Sequence, residues 1–108
     1  MPGRIDSLMT MLERGQDSAL LRFSLGNEYL GEAEYKLASK HLRHAVQLEP
    51  KYSAAWKLLG KALASHGSVS EAIDAYRHGI EIAEANGDRQ AAREMTVFLR
   101  RLEKAPGK

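Results

Sequence analysis

Apolar side chains recur every three to four residues along most of this chain, which is the spacing of one face of an α-helix. Short breaks, most of them containing glycine, serine or proline, separate the periodic stretches. The pattern predicts an N-terminal helix with its closing glycine over residues 4–15, two helices within residues 19–50, two more within residues 53–86, and a last helix within residues 88–104. It therefore predicts an all-α protein, with a disordered tail over residues 105–108.

Polar side chains that can cap a helix mark where these elements begin, because they accept hydrogen bonds from the free N–H groups of a helix start. The predicted starts are Asp6 or Ser7, Asp17 or Ser18, Glu34 or Tyr35, Ser53, Ser68 or Ser70, and Asp88. Pro50 ends the third helix, since proline cannot continue one. Glu84 stands at the equivalent place in the fifth helix, which is therefore predicted to run one turn further, to Gly87.

Residues 19–50 and 53–86 are two copies of one pattern, written thirty-four positions apart. Self-similarity at a period of this length is typical of stacked helical repeats. The residues predicted to point inward are Leu21, Leu25, Tyr29, Leu37, Ala38, Leu42, Ala45, Leu48, Trp56, Leu59 and Leu63, followed in the last helix by Ala91, Met95, Phe98, Leu99 and Leu102. Val97 breaks the last pattern, since it falls on the polar side of its helix.

Three glycines lie inside strongly periodic helices, at Gly26, Gly60 and Gly79. A glycine in a helix interior costs about 1 kcal/mol relative to alanine, so each needs a compensating contact. Close approach of two helices supplies one, because the missing side chain lets the backbones meet. A leucine at Gly60 is therefore expected to cost roughly 1–3 kcal/mol through overpacking.

These residues resemble the consensus of the tetratricopeptide repeat (TPR) family. The first repeat matches it with Leu25, Gly26, Tyr29, Ala38, Ala45 and Pro50, has a conservative change at Leu42, and departs from it at Arg22. The second matches it with Trp56, Leu59, Gly60, Ala72 and Tyr76, has conservative changes at Leu63 and Gly79, and departs from it at Glu84. The resemblance implies a right-handed stack of two antiparallel helical hairpins, flanked by the N-terminal helix and by a last helix that is a cap or a partial third repeat.

In TPR proteins the first helix of each hairpin lines a concave groove that takes peptide segments. Carried over to this chain, the groove-facing residues are Leu20, Phe23, Ser24, Asn27, Leu30, Gly31, Ala54, Lys57, Leu58, Lys61, Ala64 and Ser65. The clamp with which some members hold a terminal carboxylate is incomplete, because Phe23 and Leu58 replace its lysine and one of its asparagines. Lys57 and Lys61 remain able to bind an acidic peptide. Alternatively, both lysines only keep the surface soluble and Asn27 bonds to a neighbouring helix.

Composition narrows the possible functions. The 108 residues suffice for one small domain, and 16 basic against 14 acidic side chains give a net charge of +2, far from a nucleic-acid binder. There is no cysteine, no signal-like start and no membrane-length apolar run, which suits a cytoplasmic protein. His41 and His44 are three residues apart but lack a third ligand, so no metal is expected. No nucleophile–base pair, paired carboxylates or phosphate loop appears, so neither catalysis nor a cofactor is expected.

Two functions remain. In the first, the chain is a small non-enzymatic adaptor or scaffold, and its groove binds a protein or peptide, favoured to be acidic. In the second, it is a structural or assembly subunit that self-associates or docks through its terminal helices, while the groove is occupied or idle. The N-terminal helix is accordingly expected either to pack on the first repeat as a lid or to lie in a groove. Two repeats bury little surface, so the end helices or a second copy must add stability.

Overall fold

The computed structural model describes residues 3–104, which form six α-helices and no strand. The helices are α1 (Arg4–Glu13), α2 (Ala19–Gly31), α3 (Tyr35–Leu48), α4 (Ser53–Ser65), α5 (Val69–Asn86) and α6 (Arg89–Lys104). The all-α prediction is confirmed. The tail predicted to be disordered lies outside the described residues.

The helices stack as antiparallel hairpins in two layers. α2 pairs with α3 and α4 pairs with α5, while α3 also packs on α4 and α5 also packs on α6. α4 also touches both α2 and α6, so these three helices form one layer, and α3 and α5 form the other. The molecule is only 19 Å across its shortest axis, which is the thickness of two helices packed side by side. α1 touches α2 and no other element of the described chain.

The close helix crossings lie where the mid-helix glycines predict them. A Cβ atom on Gly60 would lie 2.5 Å from the ring of Tyr76, and one on Gly26 would overlap Leu42. A Cβ on Gly79 would meet the Met95 sulfur at 2.6 Å. Each distance is shorter than a van der Waals contact, so only glycine permits the observed backbone approach.

The prediction that Leu37 and Leu48 of α3 point inward is wrong. Leu48 is 53% exposed and Leu37 is 38% exposed, whereas His41 and Val46 are buried in their place. The buried face of α3 is centred on Ala38, Leu42 and Ala45, all fully buried. At about 100° per residue, both leucines point roughly a quarter turn away from that centre.

Several predicted caps differ from the observed ones. Ser18 accepts a bond from the Leu21 N–H at 3.0 Å, and Asp88 accepts one from the Ala91 N–H at 3.2 Å, as predicted. α1 instead begins with Gly3 at its cap position, because its first turn starts before Asp6. Ser53 is the first residue of α4 and caps nothing; its hydroxyl donates to Asp88 at 2.9 Å and joins α4 to the start of α6.

The remaining helix ends follow the sequence more closely. Ser68 occupies the cap position of α5 but makes no side-chain cap bond, and Ser70 lies inside that helix. α3 begins at Tyr35, one of the two predicted starts. α5 does run past the place of Glu84, and Gly87 closes it with a left-handed φ of 78°.

Candidate functional site

The exposed side of the layer formed by α2, α4 and α6 carries the residues predicted to face a groove. A cavity of about 470 Å³ lies between the C-terminal halves of α2 and α4. Its lining residues are Asn27, Glu28, Leu30, Gly31, Glu32, Tyr35, Leu58, Lys61 and Ser65. Of the twelve residues predicted to face the groove, six line this cavity: Asn27, Leu30, Gly31, Leu58, Lys61 and Ser65.

The other predicted groove residues, among them Leu20, Phe23 and Lys57, do not line this cavity. Phe23 stacks on Tyr52, with the ring centroids 4.9 Å apart, so its ring is already in contact with the α3–α4 junction. Leu20 is 65% exposed, near the start of α2. The ammonium group of Lys57 donates to Glu94 at 2.8 Å, so Lys57 is not a free cation but joins α4 to α6 through an ion pair. This hydrogen bond to Lys57 also lowers the pKa of Glu94.

Some of the charged side chains around the cavity are paired and others are free. Arg4 of α1 donates to the Glu28 carboxylate at 2.9 Å, which neutralises that acid and fastens α1 to the cavity's edge. Glu32 and Lys61 form no ion pair with any residue between 3 and 104. The cavity therefore presents a free ammonium, a free carboxylate and the Asn27 amide around the apolar side chains of Leu30 and Leu58.

α6 extends the concave surface, which the sequence prediction missed. A second, mostly apolar cavity of about 150 Å³ is formed by α4, α5 and α6, and its lining residues are Ala64, Tyr76, Phe98, Arg101 and Leu102. Extending the repeat register across the longer α5 would have found this surface. Leu25, Leu59 and Met95 are equivalent core positions, and Met95 lies two residues beyond the strict repeat because α5 gains a turn.

His41 and His44, which lie three residues apart on α3, have different environments. His41 is 4% exposed, and its ring stacks on Tyr29 with the planes 7° apart. The Arg22 guanidinium donates to His41 Nδ1 at 3.1 Å. Burial, and then the charge of Arg22, lowers the pKa of His41 to about 4, so the ring is neutral at pH 7. His44 is half-buried, and within residues 3–104 no three metal-binding side chains cluster.

Arg22 ties this histidine to the start of α2. It donates to both carboxylate oxygens of Asp17, at 2.9 and 3.1 Å. The paired guanidinium lowers the pKa of Asp17. The network thus joins the start of α2 to the buried ring of His41 on α3.

The fold and the concave surface together define a helical-hairpin repeat protein, a class whose members act as protein-interaction modules. No family model matches the chain. TPR repeat-containing protein PA0015 of Pseudomonas aeruginosa is 48% identical over 101 residues, which cover 94% of this chain and 96% of that protein. The chain therefore belongs to the tetratricopeptide repeat family, as the sequence resemblance predicted.

Solved structures agree with this assignment. The solution structure of protein BPP2914 from Bordetella parapertussis is 41% identical, with a TM-score of 0.83, and the match covers 96% of this chain and 90% of that one. A tetratricopeptide repeat domain protein from Salinibacter ruber has the same fold at 24% identity, with a TM-score of 0.77 over 85% of this chain and 93% of that one. No helix within residues 3–104 is long and apolar enough to cross a membrane.

Proposed function

We propose that this protein is a small adaptor that binds a peptide segment of a partner protein in the cavity between α2 and α4. The observation that supports this is the convergence of Asn27, Leu30 and Lys61 on one cavity. An amide side chain can both donate to and accept from an extended peptide backbone. Leu30 and the neighbouring Leu58 offer apolar contact, and Lys61 offers a charge-assisted bond to a carboxylate.

The free charges indicate where an acidic group of the peptide would bind. Lys61 is exposed on α4; of the two acids that line the cavity, Glu28 is already paired with Arg4, and Glu32 is free. An acidic side chain or terminal carboxylate beside Lys61 therefore gains a partner without displacing an existing ion pair. Lys57 supports the groove indirectly, because its bond to Glu94 fixes α4 against α6.

The test has two stages. Affinity capture from the host lysate with mass spectrometry first supplies partners, and isothermal titration calorimetry then measures a synthetic peptide of the captured segment. We expect the Asn27→Ala and Lys61→Ala double variant to lose at least about tenfold in affinity, since a hydrogen bond to a charged group contributes about 1.5–3 kcal/mol.

The matched control is Lys40→Ala, which removes an exposed lysine from α3, in the other layer. It should bind within about twofold of the wild type, since one surface charge changes little. Circular dichroism establishes that both variants are folded. A folded double variant that binds with wild-type affinity would rule out this cavity as the binding site.

A further inference from the structure

The outer face of α3 carries positive charge only. Its charged side chains are Lys36, Lys40 and Arg43, a net charge of +3, and the helix contains no Asp or Glu. All three line one cavity of about 520 Å³ on that face. At about 100° per residue, Lys40 lies on the side of the helix opposite the fully buried Leu42. Lys36 and Lys40 are exposed and form no ion pair within residues 3–104.

The outer face of α5, the equivalent helix of the second hairpin, is acidic. α5 carries four acidic side chains and one arginine, a net charge of −3. Glu71 is paired with Arg43 of α3. Asp74 and Glu81 are exposed, and neither has an ion-pair partner in the described part of the chain. The layer formed by α3 and α5 therefore has a basic half and an acidic half.

A cavity of about 310 Å³ opens on the acidic half. It is formed by α3, α4 and α5, and its lining residues are Arg43, Trp56, Glu71, Asp74, Ala75 and His78. The Trp56 and His78 rings are in contact there, with centroids 4.3 Å apart. Since Glu71 already bonds Arg43, Asp74 is the free carboxylate of this cavity. A carboxylate beside an aromatic surface suits a lysine, because the ammonium group pairs with the acid while the methylene stem lies on the rings.

The basic and acidic halves match in the repeat register. Lys40 and Asp74 lie thirty-four residues apart, so they occupy equivalent places on α3 and α5. The two helices run in the same direction, because α4 lies between them in the chain and is antiparallel to both. A two-fold axis parallel to them, above the gap between them, lays α3 of one copy on α5 of a second copy. Each outward residue then faces its repeat equivalent.

No two fixed charges of like sign meet in this arrangement. The outward pairs are Lys36 with Ser70, Lys40 with Asp74, His44 with His78, and Gln47 with Glu81. Arg43 points to Glu71, towards the axis. Its equivalent Arg77 points to Glu103 of α6, away from the axis. An axis perpendicular to the helices would instead lay the basic α3 on α3 of the other copy, where like charges repel.

We propose that two copies of this chain form a symmetric dimer through α3 and α5, in which Lys40 of each copy enters the acidic cavity of the other beside Asp74. The contact is isologous, so every pairing occurs twice and the assembly stops at two copies. Because the pairs join exposed charges, the dimer is weak and sensitive to salt. The layer of α2, α4 and α6 stays outside, so the dimer presents two peptide cavities and goes beyond the proposed function of one chain.

Sedimentation velocity on the full chain tests whether the dimer forms. In low-salt buffer the mass should rise with concentration from the 12.0 kDa of one chain to twice that value and no further. In about 1 M salt the dimer should dissociate, because the charges are then screened. A wild type that stays monomeric at millimolar concentration in low salt would overturn the proposal, and so would growth beyond two copies.

Charge reversal tests which side chains meet. Lys40→Glu places two acids opposite each other at both contacts, and Asp74→Lys places two ammonium groups there. Each variant alone should therefore dimerise at least about tenfold more weakly than the wild type. An equal mixture of the two variants should restore the dimer, since both contacts again join opposite charges. Single variants that dimerise as tightly as the wild type would show that α3 does not lie on α5.

The matched control is Lys61→Glu, which makes the same charge change on α4, in the other layer. It should dimerise like the wild type but lose affinity for the captured peptide, whereas Lys40→Glu should bind that peptide and fail to dimerise. Either proposal can thus fail without the other. Circular dichroism should show that all variants are folded.

Discussion

The α2–α3 and α4–α5 hairpins have the same backbone arrangement but hold it with different chemistry. In α2–α3, Arg22 bonds His41, and the histidine ring stacks on Tyr29. In α4–α5 the equivalent of Arg22 is Trp56, whose ring packs on His78 with centroids 4.3 Å apart and whose Nε1 donates to the Pro50 carbonyl at 2.8 Å. One hairpin is closed by a buried polar network and the other by aromatic packing.

The comparison shows that the glycine crossing sets the geometry and that the flanking contacts are interchangeable. Gly26 and Gly60 both let a large side chain of the second helix lie directly on the first. The flanking contacts decide how each hairpin responds to its surroundings. A buried, unprotonated histidine beside an arginine makes the first hairpin sensitive to pH, since protonation would bury a charge and place it beside a second positive charge.

A large side chain at Gly26 or Gly60 should destabilise the hairpin that contains it, and we expect this to be the largest effect on the free energy of unfolding. Gly60→Leu is expected to cost about 3 kcal/mol, because the added side chain would overlap the Tyr76 ring. Urea unfolding monitored by circular dichroism measures this. Gly31→Ala is the control, since nothing lies within 4 Å of its added Cβ, and it should be neutral or stabilising. A wild-type stability for Gly60→Leu would mean that the hairpins do not depend on the crossing.

Replacing Trp56 or its equivalent Arg22 by alanine should show how much aromatic packing and polar bonding each stabilise their hairpin. Trp56→Ala is expected to cost about 2 kcal/mol, less than a fully buried tryptophan, because the residue is only half-buried. Arg22→Ala should cost about 1 kcal/mol through the lost hydrogen bonds to Asp17 and His41. Thermal and urea unfolding compare the two. If Arg22→Ala proves the more damaging, polar closure is the stronger of the two.

The pH dependence of the free energy of unfolding should report on the α2–α3 hairpin through His41. Folding lowers the pKa of His41 from 6.5 to about 4, so the unfolded chain binds the extra proton first. The stability contributed by the neutral ring is complete above pH 6.5 and falls as the pH drops towards 4. From pH 7.5 to 4.5 we expect a loss of about 2 kcal/mol that His41→Gln does not show.

Carboxylates titrate over the same range in every variant, so only the difference between His41→Gln and the wild type is informative. Equal pH dependence in these two proteins would show that the ring is already protonated in the fold.

The smallest effects concern how each hairpin begins. Ser18→Ala removes a local cap of α2 and should cost about 1 kcal/mol. Ser53→Ala removes no cap but breaks the bond to Asp88, which joins α4 to α6, and should also cost about 1 kcal/mol. Hydrogen exchange distinguishes them: Ser18→Ala should speed exchange at the start of α2, and Ser53→Ala at the start of α6. Identical exchange maps would contradict the different roles assigned to the two hydroxyls.

The sequence predicted the helices and crossings well because these depend on short-range periodicity. Gly26, Gly60 and Gly79 could be interpreted from helix propensity alone, and all three lie at close contacts. The groove could be predicted only in part, since long side chains choose partners that periodicity does not reveal. Lys57 bonds Glu94, thirty-seven residues away, and Phe23 stacks on Tyr52 across a helix junction.

The prediction that Leu37 and Leu48 of α3 point inward was wrong for a different reason. Leu37 and Leu48 are apolar, but they lie at the edges of the face, and a short two-layer stack leaves those edges in water. The buried His41 was overlooked because a polar residue enters the core only when a partner such as Arg22 satisfies it. That partner is nineteen residues away in sequence.

The sequential contacts of the helices also determine how this protein folds. Every helix packs on its neighbours along the chain, and the only longer contacts join α2 to α4 and α4 to α6 within the described residues. Such a low contact order favours fast folding that spreads outward from one hairpin. α1, held by α2 alone, should detach first, so a protease should trim the N-terminal helix well before it cleaves the hairpins.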